Sequence, residues 1–583
     1  MNLLVRKLID LYEGLMRRYY SWRYGPVARR LGTTEGDESR GFIVIQIDGL
    51  SHATLLEAVA RGYAPHIGQL LRSGQGEAYR WFSGVPSTTP AVQAAIMYGS
   101  SEGIVGFRWY EKESGQAIVC KFPGTLSQIQ ARVSAGRRGI LEGGASYANM
   151  FDGGASTSLF TLSAIGRTSI LRKMGGLSLF LVLAFSPVRV MRILALSVWT
   201  YLLGVWRRLS ALFWPSKYGQ LSFLSPFVHV LTDVVVREIE TFAVLVDIYR
   251  GVPAIYANYS SYDEWAHRFG PTDGHALRAV KAIDSQVQQV DRMRRRWGGR
   301  PYDLYLLSDH GMTPSVPFET AFGQSLGQFV DSCIEAPTRT DEARAGAVGL
   351  RGASSLLGYE VGVAEDDLEG LPSDAARSLR LSLERRAEEE ITELPGRTDV
   401  VVRDSGPLSH VYFSVVPEGP MDLSALEEVY PGLVRRVADH PGIAVVGVRT
   451  AVGPQLVTAE GTYPCRPGQG EAAFADLADA TAIVTSLRDL LAHPSAGDLV
   501  LLGRWNWWGR PDLVVTFERQ RATHGGVGGE QCYPFIIGVT REPVDLSDVR
   551  GPTDIYRLLL SYRVREMWPE SVDATEVTAG LDA

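Results

Sequence analysis

Cysteine is scarce: the four in 583 residues, Cys120, Cys333, Cys465 and Cys532, lie far apart and form no Cys-x-x-Cys pair. That spacing excludes a disulfide scaffold and a cysteine-held zinc site, so any metal must be bound by histidine and carboxylate. No uninterrupted apolar run opens the chain, because Arg6, Lys7 and Asp10 break it, and no signal peptide is read. Nor does a charge-free stretch reach the ~18–20 residues that cross a bilayer. The longest, Met174 to Val188, is broken by Pro187, Arg189 and Arg192, and Ile193 to Trp206 ends at Arg207 and Arg208. No internal repeat is evident. No alternation of sign or aromatic interleaving points to specific nucleic-acid binding. With 45% apolar and 21% charged residues the chain reads as globular, and its length indicates two to four domains.

The net charge of −7 is unevenly spread: residues 1–30 carry +5, residues 173–217 carry +6, and the remainder −18. Such asymmetry points to an anionic surface as partner for two segments only. In the first, Leu4, Leu8, Leu11, Leu15 and Tyr19 recur at helical spacing among basic residues. This reads either as a basic amphipathic helix on a membrane or as a helix capping the protein's own core. In the second, Arg189, Arg192, Thr200, Gly204 and Arg207 share one helix side and leave a wide Leu/Val/Trp face. That pattern suits a helix lying among lipid headgroups, with a buried helical hairpin as the alternative. Trp199, Trp206 and Trp214 would sit at the interface. Peripheral attachment to an anionic membrane, at the cytoplasmic face, is the expectation.

After a polar linker (Thr33 to Arg40), the run GFIVIQIDGL is followed by a helical pattern, which reads as a buried parallel strand. The same grammar recurs at AIYANYSSYDEWAH, YDLYLLSDHG and QCYPFIIGVT. The expected fold is α/β: a doubly wound, mostly parallel sheet with helices on both faces, a smaller α/β cap, and an apolar helical insertion. The expected boundaries are a basic N-terminal helix and linker over 1–39, the core's first part over 40–172, and the insertion over 173–240. The core's second part follows over 241–335, the cap over 336–510, and the final core segment with the tail over 511–583.

Ligands bind beyond the carboxyl ends of parallel strands, and the polar residues of interest fall there. Asp48 ends FIVIQI, Asp263 and His267 stand four apart after AIYANYSSY, and Asp309 and His310 follow LYLLS. Thr88 and Thr89 open a helix, and His524 comes much later in ATHGGVGGEQ. Three aspartates, three histidines and a hydroxyl suffice for two divalent ions, zinc or alternatively manganese. Each element alone is weak, since a strand-end Asp is usually a cap or turn residue. Their joint occurrence in order is what points to phosphoryl chemistry at a two-ion centre.

The ordered set IDG, a Pro-x-x-Thr segment closing on Gly, YDExxH, SDHG and THGG resembles the alkaline phosphatase superfamily. Within it the similarity is greatest to the nucleotide pyrophosphatase/phosphodiesterase branch, over about 40–335 and 515–565. The resemblance implies one ion held by Asp263, His267 and His524, and another by Asp48, Asp309, His310 and a threonine nucleophile. In that family a proline precedes the nucleophile by three residues and a glycine follows it by ten, so Pro86 and Gly99 select Thr89. The family's Thr-x-Pro element would select Thr88, through Pro90. The position matching the family's phosphate-binding Asn is Phe107, beside Arg108, which reads either as a phosphate-binding fork or as a salt-bridged surface arginine. The function implied is hydrolysis of a nucleotide or lipid-linked phosphodiester. Phosphomonoesterase or headgroup-transferase chemistry is the alternative on the same fold, and a non-catalytic membrane-associated binding protein is the alternative outside it.

Overall fold

The computed structural model describes residues 18–29, 31, 39–165, 187–213, 225–297, 299–335, 338–343 and 398–567. The first half of the expected N-terminal helix, residues 33–38 of the linker, Met174 to Phe185, Trp214 and the charged stretch SLRLSLERRAEEE lie outside the described residues.

Seven strands form the central sheet: β1 (Gly41–Ile47), β2 (Ala78–Arg80), β3 (Ala145–Tyr147), β4 (Thr157–Leu159), β5 (Ala254–Tyr259), β6 (Tyr302–Leu307) and β7 (Phe535–Val539). Their spatial order is β2–β7–β6–β1–β5–β3–β4. The pairs β1–β5, β1–β6, β3–β4 and β3–β5 are parallel. Side chains alternate between the two faces of a strand, and here both faces are covered. Phe42 and Val44 of β1 enter one hydrophobic core, while Ile43, Ile45 and Ile47 enter the other. Five helices position or flank the polar residues at the sheet's edge: α1 (Thr89–Tyr98), α2 (Pro187–Ser210), α3 (Arg237–Arg250), α4 (Ser261–Phe269) and α5 (Gly274–Arg296). α1 supplies Val92 and Ile96 to the first core; α3 and α5 supply Phe242, Val280 and Ile283 to the second. This is the expected doubly wound α/β fold.

One strand departs from expectation. QCYPFIIGVT yields β7, but β7 runs antiparallel to both β6 and β2. The reason is positional: His524 must lie at the carboxyl edge of the sheet, and the chain enters β7 from that edge. An antiparallel edge strand on a parallel sheet is a common solution.

A second seven-stranded sheet lies between 340 and 503, in the order Thr340–Ala343, Val400–Ser405, Leu408–Phe413, Leu499–Gly503, Ile443–Val448, Gln455–Val457, Thr462–Pro464. Only its first pair is parallel. The tip of its Val400–Phe413 hairpin reaches the segment after α1, where Ser405 Oγ accepts from the Phe107 and Arg108 amides at 2.9 and 3.1 Å.

The insertion differs from its sequence reading. Pro187 opens a 24-residue helix instead of interrupting one, as proline can in a first turn. Arg189–Ser210 is long and apolar enough, by length and composition, to cross a membrane. Arg189, Arg192 and Arg207 do not form an outward headgroup-binding stripe, and only Arg208 is exposed. Arg189 is 4% exposed and pairs with Glu238 at 3.1 Å; Arg192 Nε reaches the other Glu238 oxygen at 3.2 Å. Arg207 lies with its guanidinium 4.8 Å from the Trp265 ring centroid. The N-terminal segment, too, is turned inward where it is described. Tyr20, Tyr24 and Val27 join the second core, and Tyr24 packs on Phe242 and Tyr249. For residues 18–29 the core-capping reading holds.

Candidate metal centre

The carboxyl ends of β1, β5 and β6 converge on one buried polar cluster. Asp48 follows β1, and Asn258 of β5 donates Nδ2–H to Asp48 Oδ2 at 2.9 Å. α4 begins two residues after β5 and carries Asp263 and His267 one turn apart, with His267 Nε2 3.3 Å from Asp263 Oδ2. Asp309 and His310 follow β6, and the Gly49 amide donates to Asp309 Oδ1 at 3.3 Å. His524 arrives from the loop before β7 and stacks on His310, with ring centroids 3.7 Å apart. Ligand atoms of Asp48, Asp309 and His310 lie within 4.8 Å of one another, and so do those of Asp263, His310 and His524. The structure therefore gathers all six residues. It differs from the implied partition in making His310 the member common to both groups, with His267 joined through Asp263.

The three histidines share one orientation. Nδ1 of His267 donates to the Ala522 carbonyl at 2.8 Å, that of His310 to the Gly311 carbonyl at 3.0 Å, and that of His524 to the Ser87 carbonyl at 2.9 Å. Each contact assigns the proton to Nδ1 and turns Nε2 toward the carboxylates, the arrangement that metal-binding histidines adopt. His310 Nε2 lies 3.6 Å from Asp48 Oδ1 and 3.5 Å from Asp309 Oδ2; His524 Nε2 lies 3.8 Å from Asp263 Oδ1. Asp263 Oδ1 and Asp309 Oδ2 are buried with no hydrogen-bond partner. Orphaned carboxylate oxygens and converging imidazole lone pairs are costly together unless a cation lies among them. The donor set of imidazole and carboxylate, without thiolate, fits divalent zinc or manganese.

The electrostatics carry the same strain. Burial, with Asp309 and Asp263 nearby, holds the Asp48 carboxyl well above the usual range. His267 is pushed up to about 9: burial opposes the shift, and the Asp263 carboxylate outweighs it. Asp263 is held below the ordinary range, its own burial overcome by His267 and His524. Burial and the neighbouring His310 depress His524 well below the ordinary imidazole range.

Thr89 occupies the first turn of α1, capped by Thr88 and followed by Pro90. Its hydroxyl donates to Asp48 Oδ1 at 3.4 Å and lies 3.2 Å from His310 Nε2. Thr88 Oγ1, by contrast, is buried and without a partner. Gly99 ends α1 at φ +76°, where an added Cβ would fall 2.7 Å from the Tyr556 ring, so glycine is needed for this helix to stop there. Arg108 takes the salt-bridged reading, though buried, not at the surface. Its Nη1 bonds Glu518 Oε1 at 2.5 Å and the Asp404 carbonyl at 3.2 Å. Asn258 and Ser87 were missed from sequence. A lone Asn in AIYANY was the readable signal for the first; nothing local marks a carbonyl 437 positions from its histidine.

The sequence matches the type I phosphodiesterase / nucleotide pyrophosphatase family over residues 42–162 and 187–374, more than half of the chain. His524 falls outside those spans. Among solved structures, phosphonoacetate hydrolase from Sinorhizobium meliloti 1021, in complex with phosphonoformate, is similar at 14% identity and a TM-score of 0.43, covering 91% of this chain and 98% of that one. Murine ectonucleotide pyrophosphatase/phosphodiesterase 5 is similar at 11% identity and a TM-score of 0.42, covering 90% and 94%. No curated protein sequence matches the chain. With more than half of the chain matched, and Thr89 and five of the six clustered residues inside the matched spans, the chain belongs to the type I phosphodiesterase / nucleotide pyrophosphatase family.

Proposed function

We propose that the chain hydrolyses phosphodiesters with Thr89 as nucleophile, at a centre for two divalent ions formed by Asp48, Asp263, His267, Asp309, His310 and His524. The observation that supports it most is the Thr89 hydroxyl, 3.4 Å from Asp48 Oδ1 and 3.2 Å from His310 Nε2. Such ions, zinc by the donor set with manganese as the alternative, would supply Lewis-acid stabilisation of phosphoryl charge. Thr89 lies in the first turn of α1, and a helix N-terminus favours an anion. Thr89 Oγ attacks phosphorus as its proton passes toward Asp48, and the bond to the leaving oxygen breaks. That oxygen leaves as an alcohol with a proton from water, and a second water then cleaves the Thr89 phosphoester. Asn258 and the Ala522, Gly311 and Ser87 carbonyls keep the side chains oriented through both steps.

The test is turnover of a chromogenic phosphodiester alongside metal content. Thr89→Ala should lower kcat by about 10³-fold or more while retaining bound metal, the scale of losing a nucleophile. Excess chelator should inactivate the wild type, and His524→Ala should lower metal stoichiometry and activity together. Undiminished activity in chelator, after dialysis to no detectable metal, would overturn the two-ion reading.

A further inference from the structure

We infer that α2 lies in the surface of a lipid bilayer with its outward face immersed, and that the centre consequently acts on phosphoesters carried by lipids. The second half rests on the proposed function; the first does not. α2 is built inside out. Arg189, Gly204, Arg207 and Ser210 are buried against the protein, while Met191, Leu194, Val198, Trp199, Leu202 and Trp206 face outward, Trp199 at 62% and Trp206 at 58% exposure. Of its most apolar stretch only 11% of residues are buried. In water an amphipathic helix turns its apolar stripe to the core; the reverse arrangement belongs to an apolar surrounding. A contiguous outward stripe of this kind marks a docking surface, not scattered exposure.

Three observations favour a bilayer as the occupant. The helix carries no acidic residue, and its apolar face includes tryptophans, which favour the lipid–water boundary. The sequence leading into it, Met174 to Ser186, is also without charge, so a second, shorter uncharged stretch precedes the helix. That suits a lipid surface better than one contact with a second copy. Contacts along its length then decide between crossing the bilayer and lying in it. Arg189 is tied to Glu238 and to Gln289 of α5, and Arg207, eighteen positions on, rests against Trp265 of α4. A helix held along about 27 Å of the catalytic body, at ~1.5 Å per residue, lies beside that body and cannot stand perpendicular to it. Because Arg189 and Arg207 are buried and Arg192 is paired with Glu238, leaving Arg208 as the one exposed arginine of the helix, attachment should be mainly apolar and only weakly dependent on salt, unlike the electrostatic docking that charge counting implies.

The same contacts bring the lipid-facing helix next to the site. Trp265 stands between Asp263 and His267 on α4, stacks on His229 at 4.3 Å, and donates to Asp233 Oδ2 at 2.8 Å. One layer of side chains thus separates the immersed helix from the turn bearing two of the proposed ligands. A phosphodiester anchored in the same bilayer would be delivered to the site by diffusion in two dimensions, at high effective concentration.

The experiment is flotation of the full chain with neutral phosphatidylcholine vesicles at low and at high salt, beside a variant carrying Trp199→Glu, Leu202→Glu and Trp206→Glu. The wild type should float at both salt concentrations, and the variant's bound fraction should fall at least tenfold. Turnover of a water-soluble chromogenic diester should be unchanged in the variant, while turnover of a vesicle-borne phosphodiester should fall at least tenfold. A wild type that ignores vesicles and runs as a detergent-free monomer would mean that the face is covered by the chain itself. A dimer that the triple variant converts to monomer would mean that a second copy covers it. Either overturns the proposal. Equal use of vesicle-borne diester by both proteins would overturn the substrate class alone. Flotation without hydrolysis of any diester would instead count against the proposed function and leave the membrane surface standing.

Discussion

Two buried charged clusters lie within the same half of the molecule and are built on opposite plans. Between α2, α3 and α5, the Glu238 carboxylate meets Arg189, Arg192 and the Gln286 amide, and each of its oxygens has partners. At the ends of β1, β5 and β6, three carboxylates converge with three histidines whose Nδ1 protons are spent on carbonyls, and two carboxylate oxygens have no partner. The Glu238 carboxylate is satisfied within the protein and holds a helix in place, although Arg189 Nε itself is buried without a partner. The second is incomplete within the protein, which is the condition of a site that has something to bind. Burial and charge are common to both; what separates them is whether the carboxylate oxygens are satisfied.

Substituting one member of each cluster should therefore give opposite results. Asp309→Asn leaves a hydrogen-bond donor 3.5 Å from His310 Nε2, where two lone pairs now face each other. Activity on a phosphodiester should fall about 10³-fold or more, the scale of losing a charge-stabilising group in a reaction centre. The metal-free protein should nonetheless melt at the same temperature or higher, since the change relieves repulsion. A clear loss of metal-free stability would erase the distinction between the clusters. Glu238→Gln should do the reverse. It leaves Arg189 buried without its counter-charge, at a cost of about 3–5 kcal/mol. Urea denaturation should show that loss, whereas kcat on a soluble diester at a temperature where the variant is folded should move by less than about threefold.

The contrast also explains what could be read in the sequence. Asp48, Asp309 and His310 stand within three residues of an apolar strand, and Asp263 and His267 lie on the helix that follows one, so strand and candidate ligand form one local signal. Thr89 was readable by its spacing from Pro86 and Gly99. Glu238 was not legible as the partner of Arg189, because 49 positions separate them and no periodicity links them. The orientation of α2 was hidden for a deeper reason. Periodicity reveals that a helix has two faces, but it is the same whichever face turns inward, and only the partner surface decides. The direction of β7 was hidden likewise: apolar content fixes that a strand is buried, and the position of His524 before it fixes which way it runs.

A third change sharpens the comparison from outside either cluster. The hairpin tip at Gly406, φ +69°, leans on the catalytic loop, and a Cβ there would fall 1.9 Å from the His524 carbonyl oxygen. Gly406→Ala should displace His524 without touching a ligand atom. Metal affinity should fall about 10- to 100-fold, as when an outer support of a ligand is lost. Isothermal titration of the metal-free protein measures it. Unchanged affinity would mean that the second sheet does not set the position of His524.

The smallest effect is expected at the residue next to Thr89, the proposed nucleophile. Thr88 is 1% exposed, caps α1 through its backbone alone, and has no partner for its hydroxyl. A buried hydroxyl without a hydrogen bond is a cost, so Thr88→Ala removes that cost along with a little packing. The two nearly cancel, and the net change in stability should stay within about 1 kcal/mol. The helix start is preserved, because the Thr88 carbonyl still accepts from the Val92 amide. Thr89, one residue on, keeps its contacts to Asp48 and His310. Turnover of the soluble diester by Thr88→Ala should remain within about threefold of wild type, against the thousandfold loss expected for Thr89→Ala. If Thr88→Ala were instead the inactive variant, the nucleophile would be the neighbour selected by the Thr-x-Pro element. The open valence of this centre would then be its cap residue and not the hydroxyl that faces the carboxylates.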